Sequence, residues 1–201
     1  MTKKRWILCL SALMAALCCT AAALQSQQQT MADKLIRLHV VANSDTQQDQ
    51  AVKLQVRDAV LAVTEPLLQE TDEPEEALLE ALPEIRDAAE ACLRAEGFSE
   101  AVQVSFGMER FPTRHYEGFS LPAGVYRSLR VTIGAGEGHN WWCVVFPSIC
   151  FRATSAELEQ AAETAGFTRE EVRLITEDGG GYVLKFKALE LLEQWKSRIF
   201  S

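Results

Sequence analysis

The sequence predicts an α+β fold: a single α/β domain in which a mixed, largely antiparallel sheet is packed by helices. Three observations carry that expectation. Stretches with a two-residue hydrophobic period are interspersed with stretches of helical period. Hydrophobic residues make up 48% of 201 residues, enough for a sizeable core in one medium domain behind a targeting segment. No internal repeat and no second hydrophobic core divides the chain. The formal charge is −8, from 20 basic and 28 acidic side chains. An acidic protein gains nothing from a phosphate backbone, so nucleic acid is not an expected partner.

The N-terminus has the layout of an export signal. Lys3, Lys4 and Arg5 precede an uncharged, mostly apolar run from Trp6 to Leu24, and Ala21-Ala22-Ala23 offers a small-residue cleavage site. Residues 1–23 are therefore expected to be a signal peptide. An uncleaved anchor is the other reading, because the run is near the ~18 residues at which a spanning helix forms. Its alanine-rich end and the glutamines after it favour cleavage. Cys18 and Cys19 sit in no convincing lipobox. The basic residues hold the start of the run in the cytosol and place the remainder of the chain outside. Residues 24–33, including QSQQQTMA from Gln25 to Ala32, are expected to be a structureless linker. Residues 34–201 form the domain.

The first strand is expected over Leu35–Asn43. There Ile36, Leu38 and Val40 alternate with Arg37, His39 and Val41, as in a half-buried strand. Ser44 and Gln47 have capping-box spacing and open a helix to about Thr64. Its inward stripe is Val52, Val56, Ala59, Val60 and Val63, with Asp49 and Lys53 outside. Pro66 and an acidic run interrupt it. A second helix extends from Glu75 to Glu96, kinked or restarted at Pro83, with Leu78, Leu79, Leu82, Ile85, Ala89, Cys92 and Leu93 inward. Gly97 suits the left-handed position beyond its end. Ala101–Gly107 alternates as a second strand, and FPTRHYEGFSLPAG, with two prolines and two glycines, reads as a loop or irregular edge. Val125–Ile133 and Trp141–Phe146 are the third and fourth strands. Beyond them the pattern gives a helix from Thr154 to Gly166, a hairpin of Val172–Thr176 with Tyr182–Phe186, and a closing helix from Ala188 to Ile199.

No stretch carries a recognisable catalytic set. Gly134, Gly136 and Gly138 resemble a phosphate loop, but such a loop needs a helix N-terminus next, and the strand-like Trp141–Phe146 stands there instead. A hairpin turn using glycine's positive φ is expected. Cys143 and Cys150 are a disulfide candidate in an exported chain. On a straight strand their Cα atoms would lie roughly 23 Å apart, so a bridge requires reversal around Phe146-Pro147-Ser148. The closed loop would contribute about 2.5 kcal/mol. Two buried thiols are the alternative. Cys92 reads as a buried free thiol. The three histidines, His39, His115 and His139, lack short metal-ligand spacing, and bulky apolar neighbours disfavour a Cys143 thiolate. Neither a metal, a cofactor nor a catalytic centre is expected. Trp141 and Trp142 should face opposite sides of their strand, one in the core and the other under a helix or against a partner.

Two long blocks carry a resemblance. IRLHVVANSDTQQDQAVKLQVRDAV (Ile36–Val60) and FPTRHYEGFSLPAGVYRSLRVTIGAGEGHNWWCVVFPSICF (Phe111–Phe151) resemble the stage II sporulation protein R family, as does YVLKFKALELLEQW (Tyr182–Trp195). The central acidic helices match weakly. The resemblance implies a secreted signalling protein of endospore-forming bacteria, exported from the forespore into the space between the two membranes. There it would trigger the sigma-E-processing peptidase, a membrane-embedded aspartic protease of the mother cell, with no chemistry of its own and with the membrane touched only through its N-terminal segment. The expected partner contacts are the polar and aromatic members of the blocks: His39, Asn43, Asp45, Arg57 and Asp58 in the first, Arg114, Tyr116, Arg130, Asn140 and Trp142 in the second. Asn43 and Asp45 could equally shape a turn and cap, and Arg57 with Asp58 an ion pair. Two rival functions stay open: an extracytoplasmic hydrolase using Cys143 with a histidine on cell wall or peptide, and a structural envelope protein.

Overall fold

The computed structural model describes residues 3–116, 119–147, 166–168 and 171–172. In chain order the elements are α1 (Lys3–Ala32), β1 (Ile36–Val41), α2 (Gln47–Gln69), α3 (Pro74–Ala95), β2 (Val102–Phe111), β3 (Arg114–Tyr116), β4 (Phe119–Leu121), β5 (Gly124–Ile133) and β6 (Asn140–Phe146). The expected helix from Thr154 to Gly166 lies outside the described residues except for its last residue, and so do Cys150 and the residues from Arg173 onward.

Four strands form one mixed sheet in the order β2-β5-β1-β6. β1 runs parallel to β5, with Leu38 opposite Leu129, and antiparallel to β6, with Leu38 opposite Cys143. β2 is antiparallel to β5. One face is covered by α2 and α3. Val52, Val56, Val60, Leu78, Ile85 and Leu93 pack there against Ile36, Leu38, Val40, Leu129, Val131 and Ile133. Each such side chain contributes about 1.5–3 kcal/mol relative to exposure. The second face carries its own apolar cluster, which joins Met31 and Leu35 to Phe111, Phe119, Leu121, Tyr126 and Val144.

That second cover corrects the picture of β1 as half-buried. All six of its residues are buried, Arg37 and His39 included. The residues expected to form a structureless linker are helical, and Met31 and Ala32 at the end of α1 are buried in the second cluster. Gln28 donates to the Ala123 carbonyl and ties that end of α1 to the sheet. Further toward the N-terminus α1 exposes Trp6, Leu10, Leu13, Met14 and Leu17. Among the described residues no helix is long and apolar enough to cross a membrane.

The helices differ from expectation at four points. Thr46, rather than Ser44, caps α2, its Oγ1 accepting from the Asp49 N–H at 3.1 Å. Neither proline ends a helix: α2 runs through Pro66 and α3 through Pro83. Both prolines are exposed, and the carbonyls they leave without a donor belong to Ala62 and Leu79, also exposed, where water accepts the loss. Leu79 is 51% exposed and is not part of the inward stripe. Asp49 and Lys53 are buried rather than outside. Gly97 does end α3 in the left-handed region, at φ 82°, with the Phe98 N–H on the Leu93 carbonyl at 2.9 Å.

The irregular edge is in fact a small second sheet. β3 and β4 pair antiparallel, and Tyr116 stacks on Phe119 at 4.7 Å. The expected strand from Val172 does not begin there. Glu171 and Val172 are helical, Thr168 and Glu171 exchange reciprocal side-chain bonds to each other's backbone N–H, and Lys34 pairs with Glu171 at 2.7 Å.

The glycine-rich segment is no hairpin turn, because β1 lies between β5 and β6. It must cross the end of β1 instead. The Glu137 N–H bonds to the Asn43 carbonyl at 3.1 Å and the Gly138 N–H to the Ala42 carbonyl at 3.0 Å. Gly134 and Gly136 do adopt positive φ, 55° and 66°. At Gly138 the reason for glycine is space: a Cβ would overlap the Ser44 carbonyl oxygen. Replacing Gly138 with Ala is expected to lower stability by about 1–3 kcal/mol in urea unfolding. Gly107→Ala, where a Cβ meets nothing within 4 Å, serves as the comparison and should change stability by about 0.5 kcal/mol or less. Equal effects at the two positions would contradict this packing.

Candidate functional site

The ten expected contact residues fall in three places. Six gather on the second face of the sheet: His39, Arg114, Tyr116, Arg130, Asn140 and Trp142. Strand parity accounts for it. His39 stands opposite both Arg130 and Trp142, one row along from Arg37, so these side chains share a face. Trp141 projects to the helical face, as the alternation requires, and Arg57 of α2 lies 4.5 Å over its ring.

His39 is the hub of this face. Its ring stacks on Trp142 at 3.7 Å between centroids. Nδ1 lies 2.8 Å from Glu109 Oε1, and Nε2 lies 2.8 Å from the Asn140 side-chain oxygen. Glu109 also accepts from Arg130 Nη1 at 2.8 Å and from the Ser128 hydroxyl at 2.9 Å. A shallow hollow of about 190 Å³ opens beside this pair, lined by Ser105, Gly107, Met108, Glu109, Ser128 and Arg130.

Arg37, one row away, is fully buried in an aromatic cage. Its guanidinium carbon lies 4.4 Å over Phe111, 5.0 Å over Tyr126 and 5.8 Å over Tyr116. Nε donates to the Cys143 carbonyl at 3.0 Å and Nη2 to the Tyr116 hydroxyl at 2.6 Å. Burial pulls its pKa down from the ordinary arginine value, the Tyr116 and Tyr126 hydroxyls push back, and neighbouring Arg114 lowers it further. Burial likewise raises the Tyr116 and Tyr126 hydroxyls, against the pull of Arg37. Among the described residues, three buried donors on this face have no acceptor: Arg37 Nη1, Arg114 Nε and Trp142 Nε1. Leaving a donor in that state costs about 1–3 kcal/mol each, more where it is charged. Sequence reasoning misses Arg37 and the packing of Phe111 against its guanidinium. A signal for Arg37 exists, since a charged residue in the middle of an apolar strand is either solvated or deliberately housed.

Asn43 and Asp45 are elsewhere, at the end of β1, and clamp the glycine-rich crossing. Asn43 Oδ1 accepts from the Ala135 N–H at 3.0 Å, and Asp45 Oδ1 accepts from the His139 N–H at 2.6 Å. Asp49 collects the Ser44 hydroxyl at 2.5 Å and the Asn43 amide at 3.1 Å, while Lys53 donates to the His139 carbonyl at 2.9 Å. These are fold-forming bonds, which matches the turn-and-cap alternative for Asn43 and Asp45. Arg57 and Asp58 form an ion pair on α2 at 2.7 Å. Among the described residues no cluster of His, Cys, Asp and Glu could hold a metal ion. Cys92 is free and half-buried, and burial raises its thiol pKa. Cys143 is buried on the helical side of β6, whereas His39 faces the other side.

The comparisons with known proteins bear on the same blocks. The family described as Stage II sporulation protein R matches residues 32–156, more than half of the chain. Stage II sporulation protein R of Bacillus subtilis (strain 168) is 33% identical over 198 residues, covering 90% of this chain and 88% of that protein. No solved structure matches. The chain is therefore a sporulation factor. It belongs to the stage II sporulation protein R family.

The clamp around Asp49 carries a pH signature. The Ser44 hydroxyl lowers the Asp49 pKa, burial opposes it, and Asn43 and Thr46 add to the lowering. A depressed carboxylate stabilises the fold above its unfolded value, near ~3.9, and that contribution is lost as pH falls through the lower folded value. Asp49→Asn should therefore cost about 1–2 kcal/mol at neutral pH in urea unfolding. The gap to the unsubstituted protein should close as the pH drops below that range. A gap that stays constant with pH would contradict this role.

Proposed function

We propose that this protein is an exported ligand that activates the membrane-embedded sigma-E-processing aspartic peptidase of the mother cell, and that it does so by binding rather than by chemistry. Family membership is the observation that carries this proposal. The N-terminal basic triplet and apolar run support export into the space between forespore and mother-cell membranes. The second face supports a binding role: Arg114, Tyr116 and Trp142 are half-buried planar side chains of the kind that anchor interfaces, with the exposed Arg130 and Asn140 at the rim. His39 and Glu109 hold that surface in shape from beneath. A ligand of this sort activates only by its difference in affinity for the peptidase's active and inactive arrangements.

Among the described residues the hydrolase alternative finds no geometry to favour it. Cys143 and His39 occupy opposite faces of the sheet, His115 bonds to Ser120, and His139 lies against Asp45. We further propose that Cys143 is bridged to Cys150, since the other four cysteines, Cys9, Cys18, Cys19 and Cys92, are free. Non-reduced secreted protein should then weigh less than reduced protein by two hydrogen atoms.

The functional proposal has a direct biochemical test. Secreted protein added to peptidase in vesicles, on its extracytoplasmic side, should start cleavage of the sigma factor E precursor without added metal or nucleotide. Folded protein that neither binds the peptidase nor starts cleavage would remove the proposal.

A further inference from the structure

We propose that Arg37, Arg114 and Trp142 form a carboxylate-binding site, and that its occupant is an acidic side chain or chain-end carboxylate of the protein partner. This rests on the binding role proposed above and specifies the chemistry of one contact. The starting point is the set of buried donors without an acceptor: Arg37 Nη1, Arg114 Nε and Trp142 Nε1. They belong to one neighbourhood. The Arg114 guanidinium lies 5.3 Å over the Trp142 ring, and the Tyr116 hydroxyl, which accepts from Arg37, is 3.4 Å from the Trp142 carbonyl.

Arg37 is fully buried, yet among the described residues it forms no ion pair; the same is true of Arg114. Among the described residues, Glu109 on this face is occupied by His39, Ser128 and Arg130, and Glu171 of the covering segment is paired with Lys34. What remains among the described residues is two guanidinium groups and an indole N–H, all donors, with positive charge and no acceptor. A carboxylate is the complementary group, because a guanidinium offers parallel N–H donors that match its two oxygens. The three donor atoms are themselves buried, so the ligand would reach them as the half-buried Arg114 and Trp142 side chains turn outward, with Arg37 as the fixed charge behind them.

Two features favour a carboxylate on a polypeptide over a polyanionic surface. The half-buried rings of Tyr116 and Trp142 provide apolar walls that suit the flanks of a peptide. The chain as a whole carries −8, which repels nucleic acid and anionic lipid at long range while leaving one local cationic pocket.

The test reads the indole N–H of Trp142 by NMR in the full secreted protein, the resonance being identified by Trp142→Phe. Sodium acetate, titrated at constant ionic strength, should move that resonance in a saturable way, and inorganic phosphate should move it less. Arg114→Gln should abolish the response with an unchanged unfolding midpoint, and should weaken binding to the peptidase at least tenfold. Arg114 is chosen because Arg37 also ties β1 to β6 through the Cys143 carbonyl. No response to acetate, or tighter binding of phosphate than of acetate, would overturn the carboxylate assignment. Undiminished peptidase binding by Arg114→Gln would overturn the site while leaving the activator proposal standing. Saturable acetate binding in a protein that never binds the peptidase would leave the site standing and remove the activator proposal.

Discussion

β1 lies between β5 and β6, two strands that are consecutive in sequence, and this placement constrains most of the domain. The connection between those strands cannot be a tight turn. It has to pass over the end of β1, close enough for backbone bonds to Ala42 and Asn43. Only a residue without a side chain fits against the Ser44 carbonyl, so Gly138 is dictated by topology and not by turn conformation. Asn43, Asp45, Asp49 and Lys53 are then drawn into holding the crossing down, which explains why two charged residues of α2 are buried at its start.

The same placement buries both faces of β1. On the helical side this costs nothing, because Ile36, Leu38 and Val40 are apolar. On the other side it encloses Arg37 and His39, and the chain must supply partners for them. For His39 it does so fully, through Glu109 of β2 and Asn140 of β6. For Arg37 it supplies aromatic faces, a carbonyl and a hydroxyl, but no carboxylate among the described residues. A buried cation held mainly by rings and dipoles is a group prepared for a counter-charge. That difference between two adjacent rows of one sheet separates the structural part of the face from the part proposed for recognition.

Much of this is legible in the sequence and some is not, for identifiable reasons. Alternation along Val102–Phe106, Val125–Ile133 and Trp141–Phe146 locates the strands, and it also places Trp141 and Trp142 on opposite faces, because side-chain parity is a local property. The stripe Val52, Val56, Val60 locates α2 for the same reason. Burial of the second face is not legible. Its cover comes from Met31, Phe119, Leu121, Phe167 and Val172, segments scattered along the chain with no periodic signal of their own. The hairpin expected at Gly134–Gly138 fails because strand order is set by long-range pairing, which local turn chemistry does not encode. Propensity alone makes Pro66 a helix break and Pro83 a kink or a restart. Tertiary packing of α2 on α3 overrides that when the lost bond faces water. Within the candidate site, the six members on the second face are identifiable by type, whereas Arg37 is hidden inside an apolar strand pattern.

A chain of this family that acts by contact should meet its partner with the face that carries Trp142 and not with the helical layer. Photo-crosslinking from single positions, in secreted protein mixed with the sigma-E-processing peptidase, measures that directly. A crosslinker at position 142 should capture the peptidase, and one at position 79, on the exposed side of α3, should not. Capture from position 79 with none from position 142, in folded protein, would contradict the account.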